Sequence, residues 1–340
     1  MLLLATGILT LAAVIGDPPI GGDVTELIVE HARGQANADP GAALVDGIAR
    51  DGVAGVRRLW TELGIASDLF SGLEGDAPVS IERHAVELNG VDGDETLLRL
   101  SDSSGQEVQY LALRRDGDGW GTQGRVELRN QRLNPPWHRV EVLGDRRWLV
   151  IQSLRGSGSG FERYQETWYA ADGLKPVLSF PSGGHVRGHG MPFNRTFTGT
   201  KIGLSAAEDR PVVEVEISAH YVNGDAIPIE GLTDLFTRSG VVRYRWDSET
   251  SKFILDEAGS ALTEVEVVGI FADDAQGFLL HNFAQLRELA LGDDDLKKRW
   301  LRRFLEARDD CTEKTVLQGL LDPVAPSHDD RIDAERADVT

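Results

Sequence analysis

A single cysteine, Cys311, stands in a chain of 340 residues. A lone thiol closes no intramolecular disulfide, and it cannot supply the several thiolates of a structural zinc site. Positive charge is scarce as well: 35 lysines and arginines face 55 aspartates and glutamates, which leaves −20. Nucleic acid is bound by neutralising its phosphates, and anionic lipid by a polybasic patch, so this balance argues against both partners. A membrane-length apolar run is also missing. Residues 1–16, MLLLATGILTLAAVIG, carry no charge but fall short of the ~20 residues that cross a bilayer comfortably.

What that segment does resemble is the apolar core of a secretory signal peptide, with Val14 and Gly16 as the small residues before a cleavage point. No Lys or Arg precedes it. The expectation is therefore an exported protein, periplasmic or extracellular, without a stable span in the mature chain. The alternative is a cytoplasmic protein with a buried N-terminal helix. Cys311 alone is compatible with an oxidising compartment.

Periodicity divides the remainder into an α+β arrangement. Residues 17–76 predict a helical hairpin, with Leu44, Val45, Ile48, Val56, Leu59 and Leu63 along one stripe. Residues 77–258 predict a large antiparallel β core, a meander of barrel or sandwich type. Within it Val213, Val215, Ile217, Ala219 and Tyr221 alternate with polar neighbours, and Trp148 to Leu154 reads as a central strand. Asp172-Gly173 is a hairpin signal. Residues 259–321 predict a C-terminal helical region. Residues 322–340, with six acids and two arginines, predict a disordered acidic tail.

Chemistry-bearing motifs are few. Arg155-Gly156-Ser157-Gly158-Ser159-Gly160 is glycine-rich, but no helix and no Lys-Ser or Lys-Thr follows, so it is not a phosphate-binding P-loop. It predicts a flexible connection between strands. A second glycine-rich connection, 182–190, carries His185, Arg187 and His189. These residues, with Arg155, Ser157 and Ser159, are the candidate ligand contacts, and an anion suits Arg155, Arg187 and the two imidazoles. With Glu166 or Glu162, the histidines would make a two-histidine, one-carboxylate site for a divalent metal; otherwise no cofactor is predicted. Asp116-Gly117-Asp118-Gly119 fills two positions of a calcium loop and reads better as a hairpin turn.

Charge patterns have local explanations. Glu214, Glu216 and His220 share the wet side of a strand, with Arg243 and Arg245 expected opposite as an ion-pair ladder. Asp293, Asp294 and Asp295 stand four residues before Lys297, Lys298 and Arg299, predicting helical ion pairs. Asn194-Arg195-Thr196 matches the glycan acceptor pattern, which matters only in a eukaryotic secretory pathway. The reading is a non-catalytic ligand-binding or envelope-associated module, its contacts on 155–160 and 182–190 and its partner a small molecule or an envelope protein. The alternatives are a hydrolase using a metal or histidine base at His185, His189 and Glu166, and a purely structural interaction domain.

Overall fold

The computed structural model describes residues 79–322, apart from 92–94, 103–104, 117–118, 130, 132–134, 189–191, 208–209 and 271–274. The expected leader, the expected helical hairpin at 17–76, and the tail beyond residue 322 lie outside the described residues. Strand outweighs helix by 54% to 22%. The expected α+β class with one β core is corrected accordingly: the described chain is mainly β, with two antiparallel sheets and C-terminal helices.

The first sheet is a meander of β1 (Val79–Ala85), β2 (Glu95–Asp102), β3 (Glu107–Asp116) and β4 (Gly119–Arg129). Asp116 pairs with Gly119, so the aspartate–glycine stretch closes a hairpin, as expected of it. The ladder stops after β4 for a chemical reason. Pro135 and Pro136 lack the N–H groups a further strand would need, and the chain leaves this sheet.

The second sheet runs in sequence order from β5 (Trp137–Leu143) through β6 (Arg146–Gly158), β7 (Phe161–Ala170), β8 (Pro176–Val186), β9 (Phe193–Ala207), β10 (Arg210–Asn223) and β11 (Asp234–Asp247) to β12 (Lys252–Leu255). Its long strands β8 and β9 pair over only a short seam. Only Gly183 to Val186 pair there, against Thr198 to Arg195, so the remainder of the two long strands diverges. The sheet folds back on itself across that seam. Trp148 on β6 comes within 5.6 Å of Phe253 on β12 and 6.3 Å of Trp246 on β11, and Trp168 lies 5.9 Å from Phe253, ring centre to ring centre.

The two faces of β6 feed different cores, which fits the continuous apolar run in its sequence. Trp148 and Val150 join the large core shared with β7–β12 and the helices. Leu149 and Ile151 join a smaller core with Tyr110, Val126 and Leu97 of the first sheet. Each such side chain contributes about 1.5–3 kcal/mol on burial. On β10 the alternating apolar residues from Val213 to Tyr221 are fully buried, while Glu216 and His220 are exposed.

Among the described residues five α-helices follow: α1 (Glu264–Ile270), α2 (Ala275–His281), α3 (Phe283–Leu291), α4 (Asp295–Glu306) and α5 (Thr312–Leu321). Phe278 on α2 stacks on Phe193 at 4.0 Å and thereby docks the helices onto the end of β9. Trp300, Leu301, Phe304 and Leu305 form the buried stripe of α4. Its acidic start works differently from the expected i,i+4 pairs. Asp294 is the N-cap, accepting from the N–H groups of Leu296 and Lys297 at 2.9 and 3.1 Å, so its carboxylate serves the helix end. No helix among the described residues is long and apolar enough to cross a membrane.

Candidate functional site

A cleft of about 910 Å³ opens where the folded-back sheet meets α1 and α2. One wall comes from the first half of the sheet: Arg155 on β6, Arg163, Tyr164 and Gln165 on β7, and Ser179 and Pro181 on β8. The opposite wall is Tyr244 on β11 with Ile254 and Leu255 on β12. Phe197 on β9 lies at the seam, and Glu264, Val267 and His281 complete the cleft from the helices.

Three features of the backbone build this space. The β8–β9 ladder ends at Gly183 and Thr198, so strands that would otherwise pair stand apart. The β6–β7 ladder slips between Leu154 and Gly156, leaving Arg155 as the extra, unpaired residue of a bulge. The β7–β8 ladder slips beside it, between Tyr164 and Gln165, where β8 inserts Ser182. A bulge re-aims a side chain and interrupts regular pairing. Of the two extra residues, Arg155 lines the cleft, while the Ser182 hydroxyl accepts from the Gln152 side chain.

Two buried arginines fix the helical side. Arg195, 1% exposed, donates from Nη1 to the carbonyl of Ile270 at 2.7 Å, and the Tyr221 hydroxyl donates to the same oxygen at 3.3 Å. Arg238 donates to the carbonyl of His281 at 2.8 Å and to the Glu266 carboxylate at 3.0 Å. Ile270 and His281 end α1 and α2, where the helix dipole favours a cation. Burial and the carboxylate of Glu264 together push the Tyr244 phenol up to about 12, with burial the larger cause, so it faces the cleft as a neutral hydroxyl.

Of the residues singled out from sequence that are described, Arg155 lines the cleft and the others do not. The described parts of the two glycine-rich connections are largely strand. Residues 155–158 are the end of β6, and Ser159 and Gly160 form a tight turn into β7. Ser157 and Ser159 are exposed there. Residues 182–186 continue β8, after which Arg187 is exposed, and its backbone N–H donates to the carbonyl of Gly160.

The glycines are explained by rings and close backbone approach. The Phe161 ring covers Gly158, and the Phe197 ring and the Glu162 carbonyl crowd Gly184.

The expected metal set does not assemble around Glu166. That carboxylate is buried and held by a two-bond fork from Arg139 at 2.7 and 3.0 Å, with the Trp168 indole N–H donating at 2.9 Å. His185 pairs across the ladder with Glu162, its ring nitrogen 3.9 Å from that carboxylate. Glu162 and Glu166 lie four residues apart on one strand, about 13 Å at ~3.3 Å per residue, so His185 cannot share a metal with Glu166. His189 lies outside the described residues. Among the described residues, no three His, Cys, Asp or Glu side chains gather as a metal site.

Other expectations resolve locally. Arg243 stands opposite Glu214 in the register, but its guanidinium turns to Asp256 at 3.6 Å, and Arg245 stands opposite Val212. His220 pairs with Asp234 at 3.1 Å. Asn194 accepts from the N–H of Gly188 and donates to the carbonyl of Asn223, so its amide is engaged within the fold. Cys311 caps α5, its sulfur accepting from the Lys314 N–H at 3.5 Å.

Sequence reading missed Arg163, Tyr164, Phe197, Tyr244 and His281 as cleft residues, because their convergence depends on the seam and the bulges. One signal was present: Arg155 interrupts an apolar strand and is followed at once by glycine. Comparison of the chain with protein-family models, with curated proteins and with solved structures returns no match in any of the three.

Proposed function

We propose that this protein is a non-catalytic binding module that holds a small molecule in the cleft between β6–β8, β11–β12 and α1–α2. The observation that carries this is the bulge in β6 at the cleft wall, which interrupts the ladder and presents its extra residue, Arg155, to an open space. The volume, about 910 Å³, is near the top of the ~300–1,000 Å³ range of small-molecule sites. The lining is mostly apolar with a few polar groups, the usual composition of such sites. The hydrolase reading is less favoured, since Glu166 is committed to Arg139 and Trp168 and only Glu162 stands beside His185.

The module is placed outside the cytoplasm, on the strength of the apolar residues 1–16. N-terminal sequencing of the protein from its native envelope or medium checks this, with a chain starting near Asp17 expected. A crystallographic fragment screen of the full chain tests the binding role. Fragments should populate this cleft ahead of other surfaces, and Ser179→Trp, which places an indole in it, should remove them. Hits elsewhere with an empty cleft would overturn the reading.

A further inference from the structure

We infer that the ligand of this cleft is an amphipathic anion: one carboxylate-like group held at Arg155 and Arg163, joined to an apolar body lying against Tyr244, Ile254, Leu255 and Val267. The inference rests on the binding role proposed above and names the chemistry that role would serve.

The two sides of the cleft differ in kind. Arg155 and Arg163 come from neighbouring strands, and Gly156 pairs with Arg163 one residue beyond the bulge, so both guanidinium groups belong to one wall. Gln165 and Ser179 stand beside them and bond to each other through their side chains. Among the described residues Arg155 has neither an ion pair nor a hydrogen bond, and it is exposed. A strand ladder gives up regular pairing at this residue, yet no carboxylate among the described residues pairs with it.

The opposing wall is apolar. Tyr244 and Leu255 are direct cross-strand partners, Ile254 is 45% exposed although it lines the cleft, and Val267 closes the space from α1. An exposed isoleucine at a cleft wall offers area for an apolar body to cover.

Charge narrows the class further. The whole chain carries −20, so two arginines in one concavity run against its general field. A cationic ligand would meet them directly. Glu264 faces the cleft from the first turn of α1, on the helical side, and repels a second anionic group placed there. A single negative head with an uncharged remainder satisfies both.

Titration calorimetry on the full chain, with decanoate, decanol, decyltrimethylammonium and acetate as probes, tests this. Decanoate should bind, with decanol and acetate each at least about tenfold weaker and the cation not detected. Arg155→Gln should weaken decanoate about tenfold and leave decanol unchanged, while Arg155→Lys keeps part of the preference. Arg155 is exposed, so unchanged thermal unfolding of both variants should show that they fold. Equal binding of decanoate and decanol, or no effect of Arg155→Gln, would overturn the anion inference and leave the binding role standing. If no probe binds while fragments still populate the cleft, the inference also fails alone. If the cleft stays empty in both experiments, both readings fall.

Discussion

Glu166 and Arg139 show how one side chain changes meaning once its neighbours are known. In sequence Glu166 is a free carboxylate near two histidines; in the fold it is a buried acceptor with every near donor assigned. Arg139 also donates to Glu141 at 2.7 Å, and Lys201 reaches Glu141 at 2.6 Å, so charges from β5, β7 and β9 form one network across the folded sheet. The two partners are not equally buried, with side-chain exposures of 28% for Arg139 and 7% for Glu166. Removing one partner of a buried pair strands the other. Arg139→Met leaves Glu166 stranded in the interior and should cost about 3–5 kcal/mol. Glu166→Gln leaves Arg139 partly solvated and still paired to Glu141, and should cost roughly half as much. Urea unfolding of the two variants checks that order, and a reversed ranking would refute the account.

His138 provides a second prediction at this scale. Its ring packs edge-on to His84 at 4.3 Å and to Tyr110 at 5.3 Å, in the space between β5 and the first sheet. Burial, then the neighbouring His84 and Arg99, lower it from 6.5 to about 4. Burial lowers His84 too, against the pull of Glu82. A histidine depressed in the folded state takes up its proton more readily when unfolded. Its contribution is complete above pH 6.5 and is lost as pH falls from 6.5 towards 4. The loss should be at most about 3.5 kcal/mol, at ~1.4 kcal/mol per pH unit. His138→Phe should flatten the stability curve between those limits relative to the parent. If both curves fall in parallel there, His138 is not the group responsible.

At the scale of elements, the glycine-rich segments decide how the second sheet closes. Gly160 has φ +91°, and a Cβ on it would lie 1.7 Å from the carbonyl of Arg187. That carbonyl belongs to the residue whose N–H donates back to Gly160, so the β6–β7 turn and the end of β8 are stitched together there. Gly160→Ala meets both an unfavourable backbone region and a collision with main chain. It should cost at least ~2 kcal/mol, by analogy with strained positions of 1–3 kcal/mol each. Gly144→Ala, with positive φ but open space around it, should cost less, and thermal unfolding of the pair separates strain from collision.

These segments also mark where sequence reading stopped. Strands with alternating or continuous apolar residues, such as β6 and β10, were legible because their side chains carry the period. A strand written Gly-Ser-Gly has no period to read. Its packing partner, the ring of Phe161 or Phe197, lies on another strand, so the composition resembles a loop. Asp172-Gly173 was legible as a turn, and Gly173 does take φ +71°. The cleft was legible only at Arg155. The bulge that turns it out and the short β8–β9 ladder are properties of register, which one strand cannot reveal without its neighbour.

On the scale of the whole molecule, β6 couples what would otherwise be two independent β units. The first sheet touches the second through the smaller core and through a close backbone approach, where a Cβ on Gly124 of β4 would lie 2.5 Å from the carbonyl carbon of Gly173. Leu149 belongs to that smaller core and is fully buried, while its neighbours Trp148 and Val150 belong to the larger one. Leu149→Ala removes packing from the smaller core alone and should cost about 2–5 kcal/mol. The consequence depends on how tightly β6 ties the cores together. If they unfold as one unit, the variant speeds amide exchange in β2–β3 and in β9–β11 by the same factor, because both are exposed by the same global opening. If the first sheet opens by itself, only β2–β3 exchange accelerates. A strand that supplies buried residues to both cores cannot lose one of them while keeping its own ladder with β7 unstrained, so the coupled outcome is expected. Exchange confined to β2–β3 would show instead that the β1–β4 sheet is a separate cooperative unit, docked on a binding module that stands without it.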